Sequence, residues 1–253
     1  MKKFIIVALT LILSLSVFVG CGSEESAEKY VIATDTTFAP FEFTNEDNEF
    51  VGIDVDILDA IAKDQGFEYD LQSLGFDAAL AAVESGQADG MIAGMSITDE
   101  RKEIYDFSDS YYDSTVCAAV QEGSAASSLD DIAGNIVAVK NGTQSASWAE
   151  SIADKYDLDL KYFDDSAMMY QNVTSGNAVA CFEDFPVMAY GVTQGNGMQL
   201  LYEEAGDYAT PYGFAVKKGE NAELLEKFNA GLKNIKDNGT YDEILAKYTD
   251  TEK

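Results

Sequence analysis

Apolar residues along this chain fall into short continuous runs, and between the runs they recur at three- and four-residue spacing, which predicts strands alternating with amphipathic helices. Tyr30–Thr34 reads as a strand ending at Asp35, and Thr36-Thr37-Phe38-Ala39-Pro40-Phe41 as a loop with two aromatics. Gly52-Ile53-Asp54-Val55-Asp56-Ile57 opens a helix with Ile57, Leu58, Ile61 and Ala62 on one face. A strand over Glu68–Leu71 follows, then a helix carrying Phe76, Leu80 and Val83, then a buried strand over Gly90–Ala93. Thr98 is placed to cap a short helix, with Asp99 and Glu100 in its first turn. A strand over Thr115–Val120 is followed by small and polar residues from Gln121 to Asp131. A second strand–turn–helix comes next: Ile136–Lys140, Asn141-Gly142-Thr143-Gln144, Ser145–Tyr156. Strand Ala178–Phe182 ends at Glu183-Asp184-Phe185-Pro186, and Tyr208–Tyr212 connects into strand Gly213–Val216. Leu225, Phe228, Leu232 and Ile235 form one helical face, Asn238-Gly239 breaks it, and Thr240-x-x-Glu243 reads as the capping box of a last helix.

Such alternation argues for an α/β fold with mostly parallel sheets, in which ligands bind outside the carboxyl ends of strands. Four polar segments fall at those ends: Asp35, Gly94–Arg101, Lys140–Gln144 and Glu183-Asp184. Together they favour a single site. Arg101 is the only arginine among 16 basic residues. Its planar fork suits bidentate binding of a carboxylate, which lysine does poorly; the alternative is a surface ion pair with Glu100 or Asp106. The turn Asn141-Gly142-Thr143 lacks the spacing of a phosphate cradle.

Composition removes several classes of function. At 253 residues and 47% hydrophobic the chain can bury a large core, and its net charge of −29 repels phosphate backbones, so nucleic acid is not expected as a partner. The absence of histidine excludes Ser-His-Asp and Cys-His catalysis and the commonest zinc ligand, and no metal-ligand spacing occurs, so neither metal nor cofactor is expected. Residues 1–20 read as an export signal, with basic Lys2 and Lys3 before the apolar run Phe4–Val19. The sequence Phe18-Val19-Gly20-Cys21 resembles a bacterial lipoprotein signal, in which Cys21 is lipidated and residues 21–29 form a flexible tether; ordinary cleavage near Gly20 is the alternative. Cys117 and Cys181 lie in apolar runs, either as buried thiols or bonded to one another.

The motif Gly52-Ile53-Asp54-Val55-Asp56-Ile57, and Gly94-Met95-Ser96-Ile97-Thr98-x-x-Arg101 with Asp106-Phe107-Ser108, carry a resemblance that runs from Lys29 to the C-terminus. The chain resembles the family-3 extracellular solute-binding proteins, the polar amino-acid-binding components of bacterial ABC importers. The resemblance implies a periplasmic-binding-protein-like type II fold: two α/β lobes joined by a two-strand hinge that closes on the ligand. Lobe 1 would comprise residues 30–112 and 211–253 and lobe 2 residues 113–210, with crossings at Tyr111–Thr115 and Tyr208–Tyr212. It also implies a monomer at the outer face of the cell membrane (periplasmic where an outer membrane exists), serving an ABC permease with its ATPase. Arg101 would grip the α-carboxylate with the Ser96 hydroxyl and backbone N–H groups at Gln144. Asp184 would accept from the α-ammonium beside the Gly94 carbonyl and Ser96, and Phe38 and Phe76 would sandwich the side chain unless they serve only core packing.

Within the family the chain is most similar to glutamine-binding proteins, with which it shares Asp35-Thr36-x-Phe38, Phe76, the Ala93-Gly94 pair and Lys140. Asp35 and Lys140 offer an acceptor and a donor for a carboxamide, and Lys140 opposes a cationic ligand. Glu183 replaces the histidine of those proteins and Gln144 their glycine, so another polar or charged amino acid, such as arginine or cystine, is the alternative ligand. Some relatives are dehydratases, for which Glu183 would be the acid, and a receptor sensor domain is a further alternative. The expectation is binding without catalysis.

Overall fold

Strand–helix alternation is realised twice, as two sheets with helices on their faces, in a computed structural model that describes residues 29–202, 208 and 210–249. In chain order the first part contributes β1 (Lys29–Thr34), the hairpin β2 (Phe43–Thr44) and β3 (Phe50–Val51), α1 (Ile53–Gln65), β4 (Glu68–Ser73), α2 (Phe76–Glu84), β5 (Gly90–Met91) and β6 (Tyr105–Phe107). The second part contributes β7 (Val116–Gln121), β8 (Ile136–Lys140), α3 (Gln144–Tyr156), β9 (Asp159–Phe163), α4 (Ser166–Thr174), β10 (Ala180–Asp184), α5 (Phe185–Thr193) and β11 (Met198–Tyr202). The chain then returns to the first sheet with β12 (Ala215–Lys217), followed by α6 (Ala222–Asp237) and α7 (Thr240–Thr249). The first sheet has the order β4-β1-β5-β12-β6 and the second β11-β7-β10-β8-β9. In each sheet one strand, β12 or β7, runs antiparallel to the other four, so the α/β expectation holds for both.

Each lobe buries apolar side chains on both faces of its sheet. In the first, α1, α6 and α7 cover one face, where Ile57, Leu58, Ile61 and Phe228 meet Phe214, and α2 covers the other with Phe76, Ala79 and Val83. Phe214 and Phe228 stack at 4.5 Å and 10° between planes. Gly90 lies beneath that stack, where a Cβ would come within 2.3 Å of Phe214 Cζ, so only glycine lets the ring sit flat on the sheet. In the second lobe Trp148 packs edge-on against Phe182 at 5.0 Å. Cys117 and Cys181 are free buried thiols under the opposite face.

Several local expectations shift. Thr98 Oγ1 accepts from the Arg101 N–H at 3.2 Å, but the turn it caps is a 3-10 turn, Arg101–Glu103. The strand expected over Gly90–Ala93 ends at Met91, and that expected over Ala178–Phe182 runs instead from Ala180 to Asp184, because Glu183 and Asp184 pair antiparallel with Cys117 and Val116. The capping box at Thr240 is replaced: Thr240 is itself helical, and Asn238 Oδ1 accepts from its N–H at 3.0 Å. The short strands β6, β9 and β11 and the helices α4 and α5 carry too little periodicity to have been predicted. Cys21 and the leader lie outside the described residues.

The two passages between sheets run side by side. Tyr212 N–H donates to Tyr112 O at 2.8 Å, Tyr111 N–H to Tyr212 O at 3.0 Å and Thr210 N–H to Ser114 O at 2.9 Å. Substituting Phe228→Ala removes one half of the ring stack beneath this ribbon and should cost about 3–5 kcal/mol in urea unfolding.

Candidate functional site

Two structural facts bring the sequence candidates together: both sheets present the carboxyl ends of their strands to the seam between lobes, and the two passages hold those ends face to face. Phe38, Phe76, Gly94, Ser96, Arg101, Lys140, Thr143, Gln144 and Asp184 line one cleft there, enclosing a cavity of about 10 Å³. That is room for about one water molecule. Bonds from Arg101 and Lys140 span the seam, so the lobes meet there.

Arg101 projects from the 3-10 turn into this seam. Its guanidinium donates to Ser96 O at 2.9 Å within its own lobe and to Gly142 O at 2.8 Å across the seam, and lies 5.5 Å from the Phe76 ring centre. The surface ion pair is not formed: Asp106 pairs with Lys218 at 3.1 Å, and among the described residues no carboxylate is within ion-pair range of Arg101. Burial lowers its pKa, with Asp184 opposing, yet an arginine remains charged.

Lys140 ends β8 and is 1% exposed. Its ammonium reaches across the seam to Asp35, itself fully buried at the end of β1, and lies 5.0 Å from the Phe38 ring centre and 6.0 Å from that of Phe76. Burial alone would lower the pKa of Lys140, but Asp35 and then Glu183 more than reverse this and leave it raised. Phe38 and Phe76 belong to the two cores of the first lobe and line the cleft as well, so packing and site roles coincide.

Asp184 ends β10, where burial raises its pKa against hydrogen bonds donated by Ser145 Oγ and the Tyr212 hydroxyl and the charge of Arg101. Tyr212 in turn accepts from Ser114 Oγ at 2.9 Å. Ser96 Oγ accepts from Thr210 Oγ1 at 3.0 Å. Gln144 begins α3, so first-turn N–H groups that a helix leaves unpaired open on the cleft, with Thr143 as the cap that accepts from Ala146 N–H at 3.2 Å.

Two expected residues stand differently. Ala93 belongs to the core cluster that also holds Met91 and Val83 and does not line the cleft. Glu183 stands behind Lys140. Its Oε2 accepts from Ser166 Oγ at 2.9 Å and the Tyr170 hydroxyl at 2.8 Å, and Ser166 Oγ lies 3.4 Å from Lys140 Nζ. Burial pushes Glu183 up to about 7 although Lys140 pulls it down. Thr143, Ser145, Ser166, Tyr170 and Tyr212 were not among the sequence candidates. Thr143 had a signal, a threonine just before a periodic helix, whereas the others act through partners remote in sequence.

A net of two cations and two to three carboxyl groups, buried apart from the partly exposed Arg101 and divided between two lobes, can hold a zwitterion whose ends carry opposite charges. Comparison with known proteins agrees with this chemistry. The model of the bacterial extracellular solute-binding proteins, family 3, matches residues 30–251. A probable histidine-binding protein of Neisseria gonorrhoeae is 30% identical over 257 residues, covering 98% of this chain and 96% of its own. The ABC transporter glutamine-binding protein GlnH of Bacillus subtilis is 31% identical over 273 residues, covering 98% and 97%. Among solved structures, an ancestral arginine-binding protein bound to glutamine superposes with a TM-score of 0.80 at 36% identity, covering 88% of this chain and 99% of that one.

Folded Glu183 keeps its proton to about pH 7, whereas an unfolded chain releases it near 4.5, so the folded state binds more protons between those values and stability falls as pH rises through them. Glu183→Gln should make the decline in thermal midpoint from about pH 5 to about pH 8 shallower in a calorimetric pH series.

Proposed function

Because this chain belongs to the bacterial extracellular solute-binding proteins of family 3, and has their two-lobed type II fold, we propose that it captures a polar L-amino acid between its lobes and delivers it to an ABC permease with its ATPase. The observation that carries this reading is the gathering of opposite charges at one cleft: Arg101, Lys140 and Asp184 line it, and Asp35 pairs with Lys140. Arg101, the Ser96 hydroxyl and the N-terminus of α3 at Gln144 take the α-carboxylate, and Asp184 with the Gly94 carbonyl takes the α-ammonium. Each charge-assisted bond contributes about 1.5–3 kcal/mol, so a few suffice for micromolar affinity or better. Phe38 and Phe76 flank the ligand's side chain, and closure excludes water. Residues 30–112 with 211–253, and residues 113–210, act as the two moving bodies, the paired passages at Tyr111–Thr115 and Tyr208–Tyr212 as their hinge.

Glutamine suits the Lys140 and Asp35 pair best, since Asp35 accepts from a carboxamide NH₂ while Lys140 donates to its oxygen. Glu183 behind Lys140 favours a second reading, a cationic side chain, because with Asp35 it gives the group around Lys140 a net negative charge once ionised. The relatives are named for histidine, glutamine and arginine, a range that fits either. Binding is the only chemistry: the Glu183 carboxyl is held by Ser166 and Tyr170, and no catalytic step is assigned to it. Outside the described residues, Cys21 carries a lipid that anchors the protein on the outer face of the membrane, and among the described residues no helix is long and apolar enough to cross one. The protein works as a monomer.

Calorimetry with a panel of amino acids should give glutamine the tightest binding, and Arg101→Ala should weaken it by at least about a hundredfold with the fold intact; unchanged affinity would refute the site, and preference for arginine would select the second reading. Mass spectrometry of the membrane-extracted protein should find a diacylglyceryl adduct on Cys21, lost in Cys21→Ala with release of the protein into solution.

A further inference from the structure

Behind the cleft, in the first lobe, two carboxyl groups lie where no ion should be stable alone. Glu42 and Asp54 are both 0% exposed, and each carboxyl acts on the ionisation of the other. Both Glu42 oxygens and Asp54 Oδ1 receive no hydrogen bond among the described residues. Asp54 Oδ2 is fully engaged: it accepts from Gly94 N–H at 2.8 Å and from the Tyr111 hydroxyl at 2.8 Å. These bonds reach both the cleft and the passage between lobes. Gly94 adopts φ +53, and a Cβ there would come within 2.4 Å of the Phe38 ring, so this turn is fixed from in front by Phe38 and from behind by Asp54. Glu42 also holds Phe38, through Phe38 N–H to Glu42 O at 2.8 Å, and Asp54 N–H donates to Phe41 O at 2.9 Å.

We infer that Glu42 and Asp54 share one buried proton, Glu42 O–H donating to Asp54 Oδ1, and that this pair is the positioning element that holds Gly94, Phe38 and Tyr111 in register for amino-acid binding. Two facing carboxylates without water repel one another and lose their hydration together, whereas one proton between them pairs two of the three orphaned oxygens and removes one of the two charges. The charged form belongs on Asp54, which receives both donors, and the neutral form on Glu42. The titration order agrees: burial and then Asp54 raise Glu42 well above its ordinary value, while burial raises Asp54 only to about 6 against the bond from Gly94. The groups facing the pair from other elements are Asp35 after β1, Lys140 at the end of β8 and Tyr111 in the passage; Asp35 reinforces protonation of Glu42 and Lys140 opposes it. Loss of the proton to solvent leaves two like charges in contact and frees the Gly94 turn.

This inference rests on the amino-acid-binding reading only for its affinity readout, and the test separates the two. Wild type and Glu42→Gln, whose amide still donates to Asp54, are compared by calorimetry with glutamine, by thermal unfolding across pH and by infrared difference spectroscopy at about pH 8, above the range of Glu183. Expected are a carboxylic-acid carbonyl band present in wild type and lost in Glu42→Gln, a shallower alkaline fall in thermal midpoint for the variant, and wild-type affinity that drops about tenfold or more over the alkaline titration in which that band disappears, while the variant changes less than about twofold over the same range. Glu42→Leu, which leaves Asp54 Oδ1 without a donor, should lose about tenfold or more at every pH. Equal pH profiles for wild type and Glu42→Gln, or no carboxylic-acid band, would overturn the shared proton. If no amino acid binds at any pH, the functional reading fails, while infrared and unfolding still decide the pair.

Discussion

Charge held out of water in the seam between the lobes is the constraint on which the rest depends. Lys140 and Asp35 come from different lobes and neither is tolerable alone, since a buried ion without a partner costs several kcal/mol. The sheets must therefore bring their carboxyl ends to the same place, and the two passages must be paired closely enough to keep them there. Aromatic walls, a helix N-terminus and a ring of hydroxyl donors surround these charges. The hydroxyls of Ser145, Tyr212 and Ser166 do for the carboxylates what solvent would otherwise do, without leaving room for solvent.

What could be read in the chain beforehand was whatever repeats locally. The faces of α1 and α6 were visible because Ile57, Leu58 and Ile61, and Phe228, Leu232 and Ile235, are buried at helical spacing. The site segments were visible because polar residues at strand ends stand out against apolar runs. Less visible was anything decided by a remote partner. Glu183 and Asp184 look like the polar end of a strand, yet β10 continues through them because Val116 and Cys117 pair with them and hydroxyls cover their charge. Tyr212 looks like a connector aromatic, and only the fold places its hydroxyl on Asp184.

Specificity and closure draw on the same side chains. Lys140 lies over the rings that a ligand's side chain would touch, and the Arg101 fork already holds the carbonyl of Gly142 in the other lobe. Under the proposed reading, substituting either cation would change both the affinity for a ligand and the balance between open and closed lobes. Glu42 and Asp54 sit one layer further in and act on the shape of the cleft without reaching into it.

The small closed cleft has one more consequence. Arg101 and Lys140 each bond across the seam to the other lobe, so under the proposed reading an amino acid bound there would have to take over or share bonds made within the chain. Affinity would then be a difference between two sets of bonds, and a ligand would be judged by how much of the first set it restores. On that reading an amino acid with an apolar side chain would separate Lys140 from Asp35 without replacing either partner, whereas one with a polar tip would let both keep one.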